Sequence, residues 1–292
     1  MRDATTVREK EHITIPSVEY GGTGEPLHFL HANGYPPGCY QLFLETLKSR
    51  YEVFGMLLRP LWAEASMVGL QDWLPYSEDL LALLEERETR PVIGAGHSIG
   101  AIVTLRAALR EPERFRALVL LDPVLFPPYF IVLTHLMRVL HLGERLHPLI
   151  GGALKRRRTF DDLEAVFRGY RRRNIFRYFD DGKLRAYIRG ITRPGPGGGY
   201  ELAYSPEWEA HIYDTGVWRD MDLWRGLPRL KVPTLIIRGA ETDTMWEKTG
   251  RMVRRKNPRI HVETLERSTH LLPLERPNEV FELMQAFLKE IP

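Results

Sequence analysis

The chain has 292 residues, of which 43% are hydrophobic and 27% charged, and its formal net charge is +3. This composition is typical of a globular protein with one large domain, or one domain with an insertion. No run approaches the roughly 18 uninterrupted apolar residues of a membrane span. The single Cys39 excludes an internal disulfide and a cysteine-rich metal site, and we interpret it as a tolerated loop thiol. The polar stretch 1–12 lacks the apolar segment of a signal peptide, so we expect a cytoplasmic protein.

Short apolar runs alternate with helical patterns along the first 122 residues. In chain order, the sequence predicts strands over 12–20 and 27–30, a helix over 39–49, a strand over 52–58, a helix over 70–86, a strand over 91–96, a helix over 99–111 and a strand over 116–122. After a long interruption come a strand over 232–239, a helix over 245–256, a strand over 260–266 and a helix over 277–290. Strands rich in Val, Ile and Leu that are separated by helices predict a mostly parallel α/β sheet covered by helices on both faces.

The interruption contains helical spacing but no convincing strand. We therefore predict a helical cap over 124–228, inserted into a core made of 1–123 and 229–292. The insertion is net basic, whereas the remainder is net acidic. Its arginine clusters at 155–158 and 171–173 could attract an acidic substrate, an anionic membrane or nucleic acid, although a solvated helix face is the favoured interpretation. No nucleic-acid-binding motif accompanies them, so we expect no nucleic-acid partner.

Aromatic residues are frequent in the insertion, and they could line an apolar acyl pocket. Ordinary packing of the cap is the favoured role for most of them. They are Phe126, Tyr129, Phe130, Trp208, Tyr213, Trp218 and Trp224.

The stretch GHSIG (96–100) fits the pattern G-x-S-x-G and lies between a predicted strand and a predicted helix. This context is that of a nucleophile elbow, a sharp turn that holds a serine in a strained and exposed conformation. The alternative is a glycine-rich turn that closes a βα unit. Because no phosphate-binding glycine pattern is present in GHSIG, we interpret Ser98 as a nucleophile.

A serine hydroxyl needs a base and an acid partner. His270 follows the last predicted strand and precedes the final helix, where the chain order Ser, acid, His places the base. Two acids follow predicted strands. Asp243 comes after the strand over 232–239 and is the preferred partner, and Asp122 after the strand over 116–122 is the alternative.

Backbone N–H groups must stabilise the oxyanion that forms when a carbonyl is attacked. One donor is expected from Ile99, directly after the serine. The other is expected from the loop HANGYPPG (31–38), where we assign Asn33, with Ala32 left open. An ordinary Asn-Gly turn is the alternative for this loop.

These motifs, GHSIG, HANG, the aspartate in RGAETD and the histidine in STH, occur in an order that resembles the α/β-hydrolase fold with a helical cap. The resemblance covers roughly 25–123 and 229–290. It implies Ser98 as nucleophile, Asp243 as acid, His270 as base, and the N–H groups of Asn33 and Ile99 as oxyanion donors. A serine at the nucleophile position disfavours the dehalogenase and epoxide-hydrolase branches, which place Asp there.

The sequence therefore predicts a serine hydrolase that cleaves a carboxylic ester or related acyl bond of a small to medium, largely apolar molecule. No metal or cofactor is implied. Two alternatives stay open at this point: hydrolysis of a carbon–carbon bond in a diketone-like substrate by the same triad, and a ligand-binding protein that keeps the fold without turnover.

Overall fold

Seven strands form one sheet in the computed structural model, which describes residues 14–87, 90–140 and 148–291. One edge strand is antiparallel to its neighbour, and the other neighbouring strands run parallel. The mostly parallel α/β sheet predicted from the sequence is confirmed. The stretch 1–12, from which a cytoplasmic location was expected, and position 13 of the first predicted strand lie outside the described residues.

The strands of this sheet agree with the predicted apolar runs to within a few residues. They are β1 (Ser17–Gly21), β2 (Glu25–Leu30), β3 (Tyr51–Met56), β4 (Val92–His97), β5 (Phe115–Leu121), β9 (Thr234–Gly239) and β10 (Ile260–Leu265). Their order across the sheet is β1-β3-β2-β4-β5-β9-β10, and β1 is the antiparallel edge. The helices that connect or follow them are α1 (Gln41–Lys48), α2 (Leu74–Glu86), α3 (Ile99–Arg110), α10 (Glu247–Lys256), α11 (Leu272–Glu275) and α12 (Pro277–Glu290).

Each face of the sheet has its own apolar core, because successive side chains of a strand point to opposite faces. In β5, Leu118 and Leu120 belong to one core with residues of α2, α3 and α10. Val119 and Leu121 belong to the other core with residues of α1 and α12. Burial on both faces explains why the parallel strands are almost continuously apolar rather than alternating.

The segment between β5 and β9 is more than the all-helical insertion that its sequence predicts. Its helices are α4 (Pro128–Val139), α5 (Pro148–Leu154), α6 (Leu163–Arg171), α7 (Asp181–Ile191), α8 (Pro206–Thr215) and α9 (Asp220–Gly226). Among them lies a small antiparallel sheet of β6 (Thr159–Phe160), β7 (Thr192–Pro194) and β8 (Tyr200–Leu202), with β8 in the centre. Strands of two or three residues are too short to show a period in the sequence, so the expectation of no strand here was wrong.

This segment packs on both faces of the main sheet. Phe167, Tyr187 and Ile188 join the core of α1 and α12, whereas Trp208 and Trp224 join the core of α2 and α3. Both tryptophans are therefore packing residues. The segment therefore shares both apolar cores with the sheet.

The carboxyl ends of the parallel strands gather at one edge of the sheet. The loop 31–34 follows β2, Ser98 follows β4, Asp122 follows β5, and the turn 240–244 follows β9. His270 lies beyond β10 on the same edge. Ligands of open α/β sheets bind outside this edge, so the fold brings the predicted site residues to one place. Among the described residues, no helix is long and apolar enough to cross a membrane.

Gly190 of α7 lies against the core at Cys39, so the contact between the inserted segment and the core can be tested by one methyl group. A Cβ at Gly190 would stand 2.3 Å from the backbone nitrogen of Cys39. We expect Gly190→Ala to lower the free energy of unfolding in urea by about 3 kcal/mol, the upper end for overpacking. Gly169→Ala is the matched control, since a Cβ there meets nothing within 4 Å. It should raise stability slightly through helix propensity, by about 0.5–1 kcal/mol. Equal effects of the two variants would contradict this packing.

Candidate active site

Ser98 occupies a strained turn between β4 and α3. Its φ of 59° and ψ of −119° lie where a non-glycine residue is rarely found, at a cost of order 1–3 kcal/mol. The flanking glycines allow the turn to close: a Cβ on Gly96 would stand 2.4 Å from the carbonyl oxygen of Gly100, and one on Gly100 would stand 2.3 Å from that of Leu30. The backbone N–H of Ser98 donates to the carbonyl of Leu121 at 3.0 Å. The strand–turn–helix context predicted for GHSIG is therefore present.

His270 stands between Ser98 and Asp122. Its Nε2 is 3.0 Å from Ser98 Oγ, and its Nδ1 is 2.6 Å from Asp122 Oδ2. Because a carboxylate only accepts hydrogen bonds, the imidazole donates from Nδ1 and presents the lone pair of Nε2 to the serine hydroxyl. The serine is buried, with 7% of its surface exposed. This geometry allows Nε2 to take the hydroxyl proton.

The acid beside His270 is Asp122, and the sequence-based preference for Asp243 is corrected by the geometry. Asp243 is exposed, and its backbone carbonyl accepts from the indole of Trp246 at 3.0 Å. Asp122 is fully buried. In the sheet, β5 lies between the serine strand β4 and β9, and the turn after β9 binds the Asp122 carboxylate beside the histidine.

Asp122 is held by the turn 240–244, which contains Asp243, the acid that the sequence favoured. Its Oδ1 accepts from the backbone N–H of Gly239 at 3.0 Å, and its Oδ2 accepts from the hydroxyls of Thr242 and Thr244 at 2.5 Å each. Thr244 Oγ1 also lies 3.0 Å from His270 Nδ1. Sequence reasoning missed both threonines. Their spacing of two in ETDT was the available signal, since two hydroxyls after a strand can bind a neighbouring carboxylate.

In the loop after β2, the hydrogen bonds of the backbone show which N–H group is free to donate to an oxyanion. The N–H of Ala32 donates to the hydroxyl of Tyr40 at 3.1 Å and is therefore occupied. In the described part of the chain, the N–H groups of Asn33 and Ile99 donate to no protein acceptor. Gly34 follows with a φ of 75°, the left-handed conformation that lets the loop turn away after Asn33. Asn33 rather than Ala32 is thus the available donor of this loop.

The side chain of Asn33 is held by the inserted segment. Its Nδ2 donates to the backbone carbonyl of Glu209 at 3.0 Å, and its Oδ1 accepts from the hydroxyl of Tyr204 at 3.1 Å. The sequence indicated only the backbone of Asn33. These two bonds show that its amide side chain fixes the loop to residues more than 170 positions away.

His97 connects the loop after β2 with the loop of His270, a role that the sequence did not indicate. Its Nε2 lies 2.7 Å from the carbonyl oxygen of His270, and its Nδ1 lies 2.7 Å from the hydroxyl of Tyr40. Nε2 must carry the proton, because a carbonyl only accepts. Nδ1 then accepts from Tyr40, whose oxygen in turn accepts from Ala32. Burial holds the pKa of His97 well below its usual value, which keeps this ring neutral.

Other candidate groups have structural roles. His28 and His31 accept the backbone N–H groups of Met56 and Leu58 at 3.1 and 3.2 Å. Burial lowers their pKa values to about 3 and about 4. Cys39 lies in a buried 3₁₀ turn rather than an open loop, and burial raises the pKa of its thiol. The described residues contain no group of three or more His, Cys, Asp or Glu side chains arranged to hold a metal ion.

Comparison with known families shows the family of this chain. The sequence model of the alpha/beta hydrolase family matches residues 29–283. The chain belongs to the alpha/beta hydrolase family.

Relatives of this hydrolase are distant in sequence. It is 20% identical over 278 residues to the (E)-2-((N-methylformamido)methylene)succinate hydrolase of Acinetobacter baylyi, and the match covers 93% of each chain. The crystal structure of an E-2-(acetamidomethylene)succinate hydrolase superposes with a TM-score of 0.74 at 18% identity, covering 95% of this chain and 100% of the other. A carboxylesterase structure from Nitrososphaera gargenis gives a TM-score of 0.69 at 17% identity and covers 94% of each chain. At these identities the structural matches establish the shared fold.

The bridge through Tyr40 in this hydrolase can be tested with two buried tyrosines. Tyr40→Phe leaves the Ala32 N–H and His97 Nδ1 without their buried partner, so we expect a loss of about 1–3 kcal/mol in the free energy of unfolding. Tyr76→Phe is the control, because the buried hydroxyl of Tyr76 has no hydrogen-bond partner among the described residues. That variant should unfold at the wild-type urea concentration or higher. A Tyr40→Phe protein as stable as Tyr76→Phe would mean that the bridge contributes nothing.

Proposed function

We propose that this protein is a serine hydrolase that cleaves a carboxylic ester or a related acyl bond of a small to medium, largely apolar substrate. The observation that carries the proposal is the continuous chain of contacts from Ser98 Oγ through His270 to Asp122. It links a hydroxyl on a strained elbow to a base whose other ring nitrogen is bound by a buried carboxylate. Both comparisons with hydrolases of known structure are consistent with an enzyme of this class.

Attack begins when Ser98 Oγ approaches the substrate carbonyl and His270 Nε2 takes its proton. Asp122 keeps the histidine in the tautomer that accepts at Nε2 and stabilises the imidazolium that forms. The negative oxygen of the tetrahedral intermediate would be met by the N–H groups of Ile99 and Asn33. His270 then protonates the leaving group, and water activated by the same histidine releases the acyl group from Ser98.

The inserted segment is proposed as the cap of this site. It binds Asn33 through Tyr204 and Glu209, beside the expected oxyanion position. The rings of Phe126 and Phe130 lie 4.6 Å apart, and both contact Trp246 with centroid distances of 5.6 and 5.3 Å. Trp246 of this aromatic cluster follows Thr244 of the site by two positions in the sequence. We propose that the cluster forms an apolar wall for the acyl group, the role considered above for some aromatic residues of the insertion.

Ser98→Ala tests the nucleophile. On p-nitrophenyl acyl esters of graded chain length, we expect kcat to fall by about 10⁴-fold or more, because the attacking atom is removed. The thermal unfolding temperature should stay near that of the wild type, since alanine keeps the Cβ and the backbone of Ser98 and loses only the hydroxyl. A fluorophosphonate probe should label wild type at Ser98 and leave the variant unlabelled. Unchanged turnover in Ser98→Ala, or labelling at another residue, would refute the assignment.

The same preparations separate the alternative functions. A ring-cleavage dienoate assayed beside the esters tests carbon–carbon bond hydrolysis, which uses the same triad. A folded wild-type protein that resists the fluorophosphonate and turns over neither class of substrate would instead be a binding protein.

Asp122→Asn and Asp243→Asn decide which acid serves His270. An asparagine at 122 can present its N–H₂ group to Nδ1 and so favours the wrong histidine tautomer, with an expected loss in kcat of about 10⁴-fold. Asp243→Asn changes an exposed side chain and should keep kcat within about twofold of wild type. Circular dichroism checks that both proteins are folded. A larger loss in the Asp243 variant than in the Asp122 variant would reverse the assignment.

A further inference from the structure

Two arginine clusters that are separate in the sequence converge on one groove of the inserted segment. Lys155, Arg156 and Arg157 follow α5, and Arg173 follows α6. All four line a cavity of about 490 Å³, together with the rings of Phe160 and Tyr170. We call this cavity the arginine groove. Its volume lies in the range of pockets that hold small molecules.

The positive charge of the arginine groove exceeds the negative charge beside it. Among the ion pairs of the described residues, Arg156 is paired with Glu209, and neither Lys155 nor Arg173 has a carboxylate partner. Arg157 shares a pair with Asp161 at 3.4 Å, but both side chains are more than 60% exposed, so this pair is weak. Asp162 also lines the groove, and its carboxylate accepts the N–H groups at the start of α6 at 2.9 and 3.1 Å, so the positive end of that helix partly offsets its charge. The groove therefore offers cations that an anion can bind.

Aromatic rings hold two of these cations in place. The guanidinium of Arg173 lies 4.4 Å from the centroid of the Tyr170 ring, and that of Arg157 lies 5.5 Å from the centroid of the Phe160 ring. A stacked guanidinium loses less freedom on binding than a mobile one, and its planar fork matches the oxygens of phosphate or carboxylate. Both arginines keep exposed surface toward solvent, from which a ligand can reach them.

Arg156 connects the groove with the active site. It lines the groove and forms a hydrogen-bonded ion pair with Glu209. The carboxylate of Glu209 lies against Gly34, where a Cβ would stand 2.8 Å from it, and the backbone carbonyl of Glu209 accepts from Asn33. One ion pair thus separates the groove from the loop that carries the proposed oxyanion donor.

We propose that the arginine groove binds an anionic group, a phosphate or a carboxylate, carried by the substrate of the proposed hydrolase. This inference rests on the proposed function and adds the charge of the substrate to it. The anionic group would lie away from the bond that is cleaved, while the acyl carbonyl reaches Ser98. Charge-assisted hydrogen bonds from Arg157 and Arg173 are the expected contacts.

The test compares neutral and anionic substrates in matched variants. The groove variant is Arg157→Gln with Arg173→Gln, and the control variant is Arg193→Gln with Arg225→Gln. The control removes the same charge from two exposed arginines of the inserted segment that do not line the groove. The substrates are p-nitrophenyl butyrate, which is neutral, butyryl-coenzyme A, which carries phosphates, and p-nitrophenyl hemisuccinate, which carries a carboxylate.

We expect the groove variant to hydrolyse p-nitrophenyl butyrate as the wild type does. For the preferred anionic substrate, kcat/KM should fall about 10- to 100-fold, mainly through a higher KM, because the lost contacts bind substrate and transition state alike. The control variant should stay within about twofold for all three substrates. Added salt should reduce the wild-type preference for the anionic substrate.

The outcomes are separable. A selective loss with butyryl-coenzyme A assigns the group as phosphate, and a selective loss with the hemisuccinate assigns it as carboxylate. Equal ratios of anionic to neutral kcat/KM in wild type and groove variant, with the neutral ester still hydrolysed, overturn the groove and leave the hydrolase intact. If no ester is hydrolysed, the proposed function fails, and calorimetry with coenzyme A and succinate decides the groove alone. Binding that is lost in the groove variant supports it, and no binding to wild type overturns it.

Discussion

The carboxylate of Asp122 joins its own loop to two loops that lie more than a hundred residues further along the chain. It accepts from Gly239, Thr242 and Thr244 of the turn after β9 and contacts His270 of the loop after β10. A buried carboxylate is costly unless its lone pairs are filled, and here four partners fill them. Asp122 itself has a φ of 40°, so its backbone is also strained. The strain and the burial persist because the surrounding bonds determine one position, which fixes His270 relative to Ser98.

How far the sequence predicts this site depends on how local each signal is. The elbow is local: GHSIG, an apolar strand before it and a helix after it lie within 20 residues, so Ser98 and its turn could be located. His270 could be ranked by chain order alone. The acid could not be settled, because the ends of β5 and β9 lie on the same edge of the sheet and both carry an aspartate. Which end faces the histidine depends on how the turn after β9 bends, and that follows from Thr242 and Thr244 binding Asp122.

The contacts that align the loop after β2 are not local either. Asn33 is satisfied by Tyr204 and Glu209, and Ala32 is satisfied by Tyr40, which also binds His97. None of these pairs has a sequence period, so reading HANG alone gave an Asn-Gly turn as a fair alternative. The same holds for β6 of the small sheet, which pairs with β8 across the intervening α6 and α7. Helices were predictable because their period repeats over many residues, and core strands because each is a short continuous apolar run bounded by turns.

The ion pair of Arg156 and Glu209 supports the loop of Asn33 and also sets the charge of the arginine groove. Changing either residue alone would affect both. Removing one partner would leave a buried charge without compensation, at a cost of about 3–5 kcal/mol, and would disturb the support of Asn33 and Gly34. It would also alter the arginine groove. By linkage, an anion that draws on Arg156 must affect the position of Glu209, and the position of Glu209 must affect the affinity for that anion. Arg157 and Arg173 do not share this coupling. They contact the rings of Phe160 and Tyr170 and are exposed to solvent in the groove, and neither is paired with Glu209. The Arg156–Glu209 pair therefore contributes both to the proposed binding of substrate charge and to the position of the oxyanion loop. Substitution of Arg157 and Arg173 changes only the binding of charge.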